Sequence, residues 1–300
     1  MKQFNRSLLL LALFVGMMWV MLPGQGMAQD DDEATLQRAV FPSYNFKFEY
    51  DASTFLVTYD GENQLKVRWR DDVPLPEGIN FNPELKIDML PSAGIETLAN
   101  QLIQERVYRA DGNLESVSFN GVPAYQQSVL HMHGIPITLT LVPVNGFVFV
   151  FDSGFNNADS SILESVDFDP PEVHDDLNRR CINDSAFVRD VTIPDGTFIT
   201  GSMPFTKVWE LENDGDCIWH SDYTFEMLWH SENWSVDRFA GMMPLVPYTE
   251  ADERVQISVQ MLSIPANNID LPLQVRAQYQ LHSNRGDGFG TRPYVDIIIN

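Results

Sequence analysis

The sequence predicts two successive domains, an α+β sandwich with an antiparallel sheet and helices, then an all-β sandwich. Three observations predict it. The first half carries one apolar repeat at helical spacing (Ile95, Leu98, Ala99, Leu102, Ile103, Val107) among runs that alternate with period two. The second half holds only short β-rich runs bounded by turns. Between them, Asp169-Pro170-Pro171-Glu172, Asp175-Asp176 and Arg179-Arg180 form a polar, proline-bearing stretch without periodicity, which reads as a linker over 169–180. A chain of 300 residues fits two domains on a prior of about 150 residues each.

The N-terminus comes first in the chain. Lys2 and Arg6 precede an apolar run from Leu8 to Leu22, and Gly26-Met27-Ala28 puts small residues where a signal peptidase cuts. Residues 1–28 therefore read as a secretory signal, cleaved or kept as an anchor. Pro23-Gly24 follows the run too closely for a comfortable membrane span. No second span follows, so no stable membrane insertion is expected after cleavage. The expected location is secreted or extracytoplasmic, by bacterial export. Residues 29–40 read as an acidic, flexible segment.

Residues 41–168 make the first domain. Asn45–Tyr50 alternates cleanly. Phe55–Tyr59 and Leu65–Trp69 flank Asp60-Gly61, a hairpin signal. Leu85–Leu90 is a further strand. Ile95–Tyr108 is the helix, with Ser92 as its expected N-cap. Runs at 114–119, 122–131, 137–143 and 146–151 follow, with Asn120-Gly121 and Asn145-Gly146 between consecutive runs as hairpin turns. Asp159–Leu163 starts a short closing helix before Ser165-Val166-Asp167-Phe168.

Residues 181–300 make the second domain, with strands expected at 186–191, 205–212, 223–229, 255–261, 273–281 and 294–299. By parity Phe205, Lys207, Trp209 and Leu211 share one side of their strand, the side expected to face the sandwich interior. Asn213-Asp214-Gly215-Asp216 is a turn, and Cys217 and Trp219 share a face beyond it. These aromatics read as core, with ligand stacking as the alternative. Cys181 and Cys217 are the only cysteines. An oxidising compartment makes a disulfide the default, and two free buried thiols are the alternative. Two cysteines are too few for a zinc site.

The order of elements in the first half resembles the PsbP-like fold. The opening Phe-x-Phe-x-Tyr, mid-chain helix, Gly121-Val122-Pro123-Ala124-Tyr125 hairpin, Phe147-Val148-Phe149-Val150-Phe151 strand and terminal Ile162-to-Phe168 stretch carry that resemblance. It implies an α-β-α sandwich and no catalytic residues. Asp51 and Phe55 stand where that family usually has Pro and Trp. The second half resembles the FW, or four-tryptophan, domain of the Nbr-type autophagy cargo receptors. The matching positions run from Cys181 through Val188, Asp190, Pro194, Asp195, Gly196 and Thr197 to the motif Trp209, Leu211, Asn213, Gly215, Cys217 and Trp219. They close on Phe289-Gly290 and Tyr294–Ile297. The resemblance implies an Ig-like β-sandwich used for protein binding or as a structural module. Tyr279 and Tyr294 stand where that family favours tryptophan, and the loop Ser231–Met243 departs from its glycine-rich segment.

Acidic residues outnumber basic ones 42 to 19, for a net charge of −23. That excludes nucleic acid, whose phosphates need a basic face, and it disfavours anionic membranes. No Walker loop, nucleophile elbow, HExxH or GxGxxG is present. The protein is expected not to be an enzyme and to carry no metal or cofactor. His131 and His133 lie two apart on an expected strand, without a third ligand fixed by sequence. Asp214 and Asp216 are acidic turn residues without an EF-hand pattern. Arg285-Gly286-Asp287 reads as a hairpin loop, and Asn183 and Asn233 head sequons.

The expected function is an exported, non-enzymatic protein that binds a protein partner or cell-surface component. Its contacts are expected on loops 231–248 and 283–292, with Trp234, Met242 and Met243 as the apolar candidates. The alternative is a carbohydrate or small-ligand site in the first domain, lined by Trp69, Tyr125 and His131.

Overall fold

A computed structural model describes residues 36–61, 63–70, 84–154, 160–174, 181–201, 203–232, 242–262 and 272–300. The signal stretch, residues 29–35 and Trp234 lie outside these. Residues 34–300 form one compact unit.

The N-terminal half is built on one antiparallel sheet. Strand β1 (Leu36–Phe41) pairs with β2 (Phe46–Asp51) as a separate two-stranded ribbon. Residues 36–40 are therefore a strand, not part of a flexible acidic segment. The reason is that Ala39, Val40 and Phe41 are completely buried. Then come β3 (Phe55–Asp60), β4 (Gln64–Trp69), β5 (Glu84–Pro91), helix α1 (Ile95–Glu105), β6 (Arg109–Ala110) and β7 (Glu115–Phe119). They are followed by β8 (Val122–Leu130), β9 (Pro136–Val144), β10 (Phe147–Ser153), α2 (Ser160–Ser165) and α3 (Pro171–His174). The strands of the sheet run β3-β4-β5-β10-β9-β8-β6, with β7 also on β8. Asn120-Gly121 and Asn145-Gly146 all have positive φ, as two-residue hairpin turns demand.

Strand β10 shows how the pleat divides this half into two cores. Phe149 and Phe151 face the core under β1, β2 and α2, while Val148 and Val150 face the core under α1. One face of the sheet thus carries a helix and the other a ribbon with a short helix, where a plain α-β-α sandwich was expected. Helix α1 is N-capped by Gly94 without a side-chain bond, not by Ser92. It is pinned at its other end by Arg106, which pairs with Asp88 on β5 and Asp152 on β10.

The second half is an Ig-like β-sandwich. Strands β11 (Ala186–Asp190), β12 (Thr197–Ile199), β13 (Pro204–Glu212), β14 (Thr224–His230), β15 (Met242–Pro244), β16 (Arg254–Leu262), β17 (Leu273–His282), β18 (Gly288–Phe289) and β19 (Tyr294–Ile299) succeed one another. One sheet is β11-β13-β16, and the other is β12-β19-β17-β14 with β18 on β17. Their facing sides share a core that includes Trp209, Leu211, Trp219, Phe225, Ile257, Tyr279, Leu281 and Ile297. Cys181 and Cys217 form a disulfide with Cα atoms 5.0 Å apart. It ties the entry to the domain onto the turn before Trp219.

Strand β15 belongs to neither sheet of the sandwich. It pairs antiparallel with β3, adding an edge strand to the N-terminal sheet, with Met243 opposite Tyr59 and Pro244 opposite Thr58. The next residues continue the clasp. Leu245 is buried in the N-terminal core and Val246 in the C-terminal one. Successive side chains of extended backbone point opposite ways, so one short segment serves two cores. Around it Ser221 N donates to Val40 O (2.9 Å) and Tyr248 N to Arg38 O (2.8 Å). Gln37 Nε2 donates to Gln256 O (2.9 Å) and Ser43 Oγ to Asp222 Oδ2 (2.8 Å). The expected linker is docked at its start, because Glu172 on α3 accepts from Lys47 Nζ at 2.8 Å.

Two outcomes are expected. Replacing both cysteines by alanine should lower stability by about 4 kcal/mol, the chain-entropy figure for a loop of this size, in denaturant unfolding without reductant. Equal midpoints would deny the bridge that role. Calorimetry of the wild type should give one transition, and Leu245→Ala should cost about 2–5 kcal/mol, as for other buried leucines. Two separate transitions in the wild type would show that the clasp does not couple the halves.

Candidate functional site

The tryptophan and cysteine motif is built into the sandwich interior. Trp209 has no exposed surface, donates from Nε1 to Tyr294 O at 3.1 Å, and packs on Phe225 and Tyr279. Leu211 and Trp219 are equally buried. Asn213 is buried too and donates from Nδ2 to Cys217 O (2.8 Å) and Thr249 O (3.1 Å), closing the turn from inside. Gly215 is required by space, since a Cβ there would run into the Ile182 carbonyl oxygen and the Asp184 nitrogen. Lys207, on the same side as Trp209, is fully buried, and its ammonium meets Asp190 and the Ile193 carbonyl (2.7 Å).

The other candidates fall in different places. Met242 and Met243 lie in strand β15, not in a free loop, because Val246 and Leu245 beyond them anchor the segment between two cores. Met243 keeps substantial exposure. Trp69 packs on Phe55 at one face of the N-terminal sheet, whereas Tyr125 packs under α1 at the other. They cannot line one pocket. Helix α1 fills its face with Leu98, Ala99 and Leu102. His131 and His133 stand in the turn after β8, not on the strand, with rings 5.2 Å apart. Asp216 groups with Cys181 and Cys217, but the sulfurs are spent in the disulfide and the Asp216 carboxylate accepts from Ile182 N. Arg285-Gly286-Asp287 forms the turn between β17 and β18, with Gly286 at φ 84°. Asn183 accepts from the Tyr223 hydroxyl at 3.1 Å.

What the fold does present is β14. Among the described residues it pairs only with β17, so it is an edge of the larger sheet, with β15 packed near it. Phe225 is buried, yet everything from Glu226 to His230 is exposed. Met227 and Leu228 are each 40% exposed and Trp229 53%. A register shift between Met227 and Trp229 bulges the strand there. Three consecutive apolar residues cannot all face one core from an extended strand, and that was the available sequence signal.

The outer face of the same sheet joins this edge. Trp229 stands opposite Gln278, and Gln278 opposite Tyr294, so the three lie in one row. The next row holds Asp296 and Arg276, which form an ion pair. Gln274 Nε2 adds bonds of 2.8 and 3.1 Å to the same carboxylate. Burial alone would raise the Asp296 carboxyl, but the bonds from Arg276 and Gln274 outweigh it and hold it below the usual carboxylate range. The Arg276 guanidinium sits 4.9 Å from the Tyr294 ring centre. A hydrogen bond to Asp195 raises the Tyr294 phenol above its ordinary value.

This sandwich belongs to the Ig-like class by architecture. Residues 192–299 match the family model described as the Ig-like domain from next to BRCA1 gene. The chain is 29% identical over 126 residues to "Protein NBR1 homolog" of Arabidopsis thaliana, and 27% identical over 118 residues to "Protein JOKA2" of Solanum tuberosum. Each match covers 39% of this chain, but only 16% and 13% of those proteins. A solution structure of cyanobacterial PsbP from Synechocystis sp. PCC 6803 aligns with 48% of this chain and 98% of its own, at 16% identity and a TM-score of 0.33. No helix among the described residues is long and apolar enough to cross a membrane. The disulfide is compatible with an extracytoplasmic location.

A depressed Asp296 stabilises the fold above the unfolded carboxylate pKa of about 4, and that contribution fades as pH falls through the lower folded value. Asp296→Asn should therefore lower the thermal midpoint near pH 7 and narrow its gap to the wild type near pH 3. A gap that stays constant with pH would deny the carboxylate this role.

Proposed function

We propose that this is an exported, non-enzymatic protein whose Ig-like domain binds a protein partner or cell-surface component along strand β14. The observation that carries the reading is the exposed run Met227-Leu228-Trp229 on a sheet edge whose backbone has no second strand among the described residues. An unpaired edge accepts an extended segment through main-chain hydrogen bonds, and the flanking apolar side chains select it. The likeness to Nbr-type Ig-like domains, a family used for protein binding, supports the same reading. The chain's own use of strand addition, β15 onto β3, provides a physical precedent. Export is supported by the signal-like residues 1–28 and by the disulfide. The PsbP-like reading of residues 41–168 rests on the order of their sequence motifs, and no photosystem role is proposed.

A photo-reactive residue at position 228 of the full chain should give a discrete cross-linked product with an envelope or extracellular protein. Leu228→Lys should remove co-purification of that protein, because an edge charge blocks strand addition. Cross-linking from position 228 no more selective than from exposed Glu105 on α1 would sink the edge reading.

A further inference from the structure

The outward face of the sheet β12-β19-β17-β14 carries three exposed aromatic rings, one each on β12, β19 and β14. Trp229 is 53% exposed, Tyr294 39% and Phe198 62%. Their placement follows from register. Ile297 and Ile299 point into the core, so Tyr294 and Ile298 point outward, and Phe198 pairs with Ile298. Trp229 and Tyr294 share a row with Gln278 between them, which sets their backbones about 9.5 Å apart, two strand spacings. Buried aromatics fill cores, but these three leave ring surface to water.

From this geometry we propose that the face binds an extended, neutral, β-linked glycan chain. Three features on the face fit that chemistry. Sugars in an extended β-linked chain alternate in orientation, so every second ring presents the same C–H face. The row spacing of Trp229 and Tyr294 suits that two-sugar repeat, and the electron-rich ring faces suit polarised C–H groups. Planar polar groups lie among the rings: Gln278 in the row, with the half-exposed Arg276 in the next, oriented by the buried Asp296. Such groups bridge neighbouring hydroxyls, and a few placed polar groups amid apolar surface are what orient a ligand. Finally, the cation in these rows, Arg276, is paired to Asp296, and Asp195 adds a carboxylate beside Tyr294. In a chain of net charge −23 this leaves an anionic polymer disfavoured and a neutral one unopposed. Tyr294 is also fixed in advance by Asp195 at its hydroxyl and Arg276 at its ring, which reduces the entropy lost on binding.

This site adjoins the strand-accepting edge and shares Trp229 with it, but the two ligands are held differently. A peptide on β14 engages its backbone with Met227 and Leu228, whereas a glycan engages the rings of Trp229 and Tyr294. Isothermal titration of the full chain lacking residues 1–28 against cellohexaose, xylohexaose and chitohexaose tests the proposal. Binding to at least one is expected. Trp229→Ala and Tyr294→Ala should each weaken it roughly tenfold or more, the loss usual for a truncated aromatic anchor. Trp229→Phe should retain most of the affinity, and Leu228→Lys should leave it unchanged. Near-UV circular dichroism checks that each variant stays folded, and the phenylalanine variant keeps the test decisive if an alanine variant does not. Binding to none of the three, or unchanged affinity in both folded alanine variants, would overturn the proposal.

Discussion

The rest of the molecule depends on one segment, residues 242–249, held between its two halves. Strand β15 completes the edge of the N-terminal sheet at β3, and the alternation of extended backbone then sends Leu245 into one core and Val246 into the other. This segment thus gives each core a buried side chain. It also protects an edge, because β3 would otherwise present an unpaired row of backbone groups beside Tyr59. Arg38 reinforces the same junction, with its guanidinium 4.5 Å from the Tyr248 ring centre and within 4 Å of Glu172, Glu250 and Glu253 carboxylates.

That arrangement decides which surfaces of the Ig-like sandwich are left for function. The smaller sheet sends Gln256 toward Gln37 of the N-terminal ribbon, and the 220–222 turn meets Val40, Ser43 and Tyr59. The outer face of the larger sheet and its β14 edge are where exposed aromatic and apolar side chains collect. The motif from Trp209 to Trp219 lies on the inside of the sandwich. Trp209 reaches across to the Tyr294 carbonyl, so a core tryptophan fixes the strand that carries an exposed tyrosine.

The sequence by itself determined much of this. Period-two runs located most strands, Asn-Gly pairs located the hairpin turns, and the apolar repeat located α1. The tryptophan and cysteine motif, with its turn, follows from strand parity and turn chemistry over a few adjacent residues. The cysteine pairing follows from there being only two. These features are legible because each depends on local backbone periodicity and short-range sterics. Strands β12, β15 and β18 were missed because two or three residues carry too little pattern.

Only the tertiary structure decided the rest. Ala39-Val40-Phe41 became a strand because β2 and the core beneath it offered pairing and burial. Met242 and Met243 became a strand because a distant edge, β3, was left open for them. Trp69 and Tyr125 fell on opposite faces because each belongs to a different strand of one sheet, and sequence does not number the strands across it. Trp229 and Tyr294 came into one row through register with β17, although 65 positions separate them along the chain. Burial and exposure of such residues depend on strand order, register and which element covers which face. Those are long-range outcomes of packing, and no local pattern encodes them.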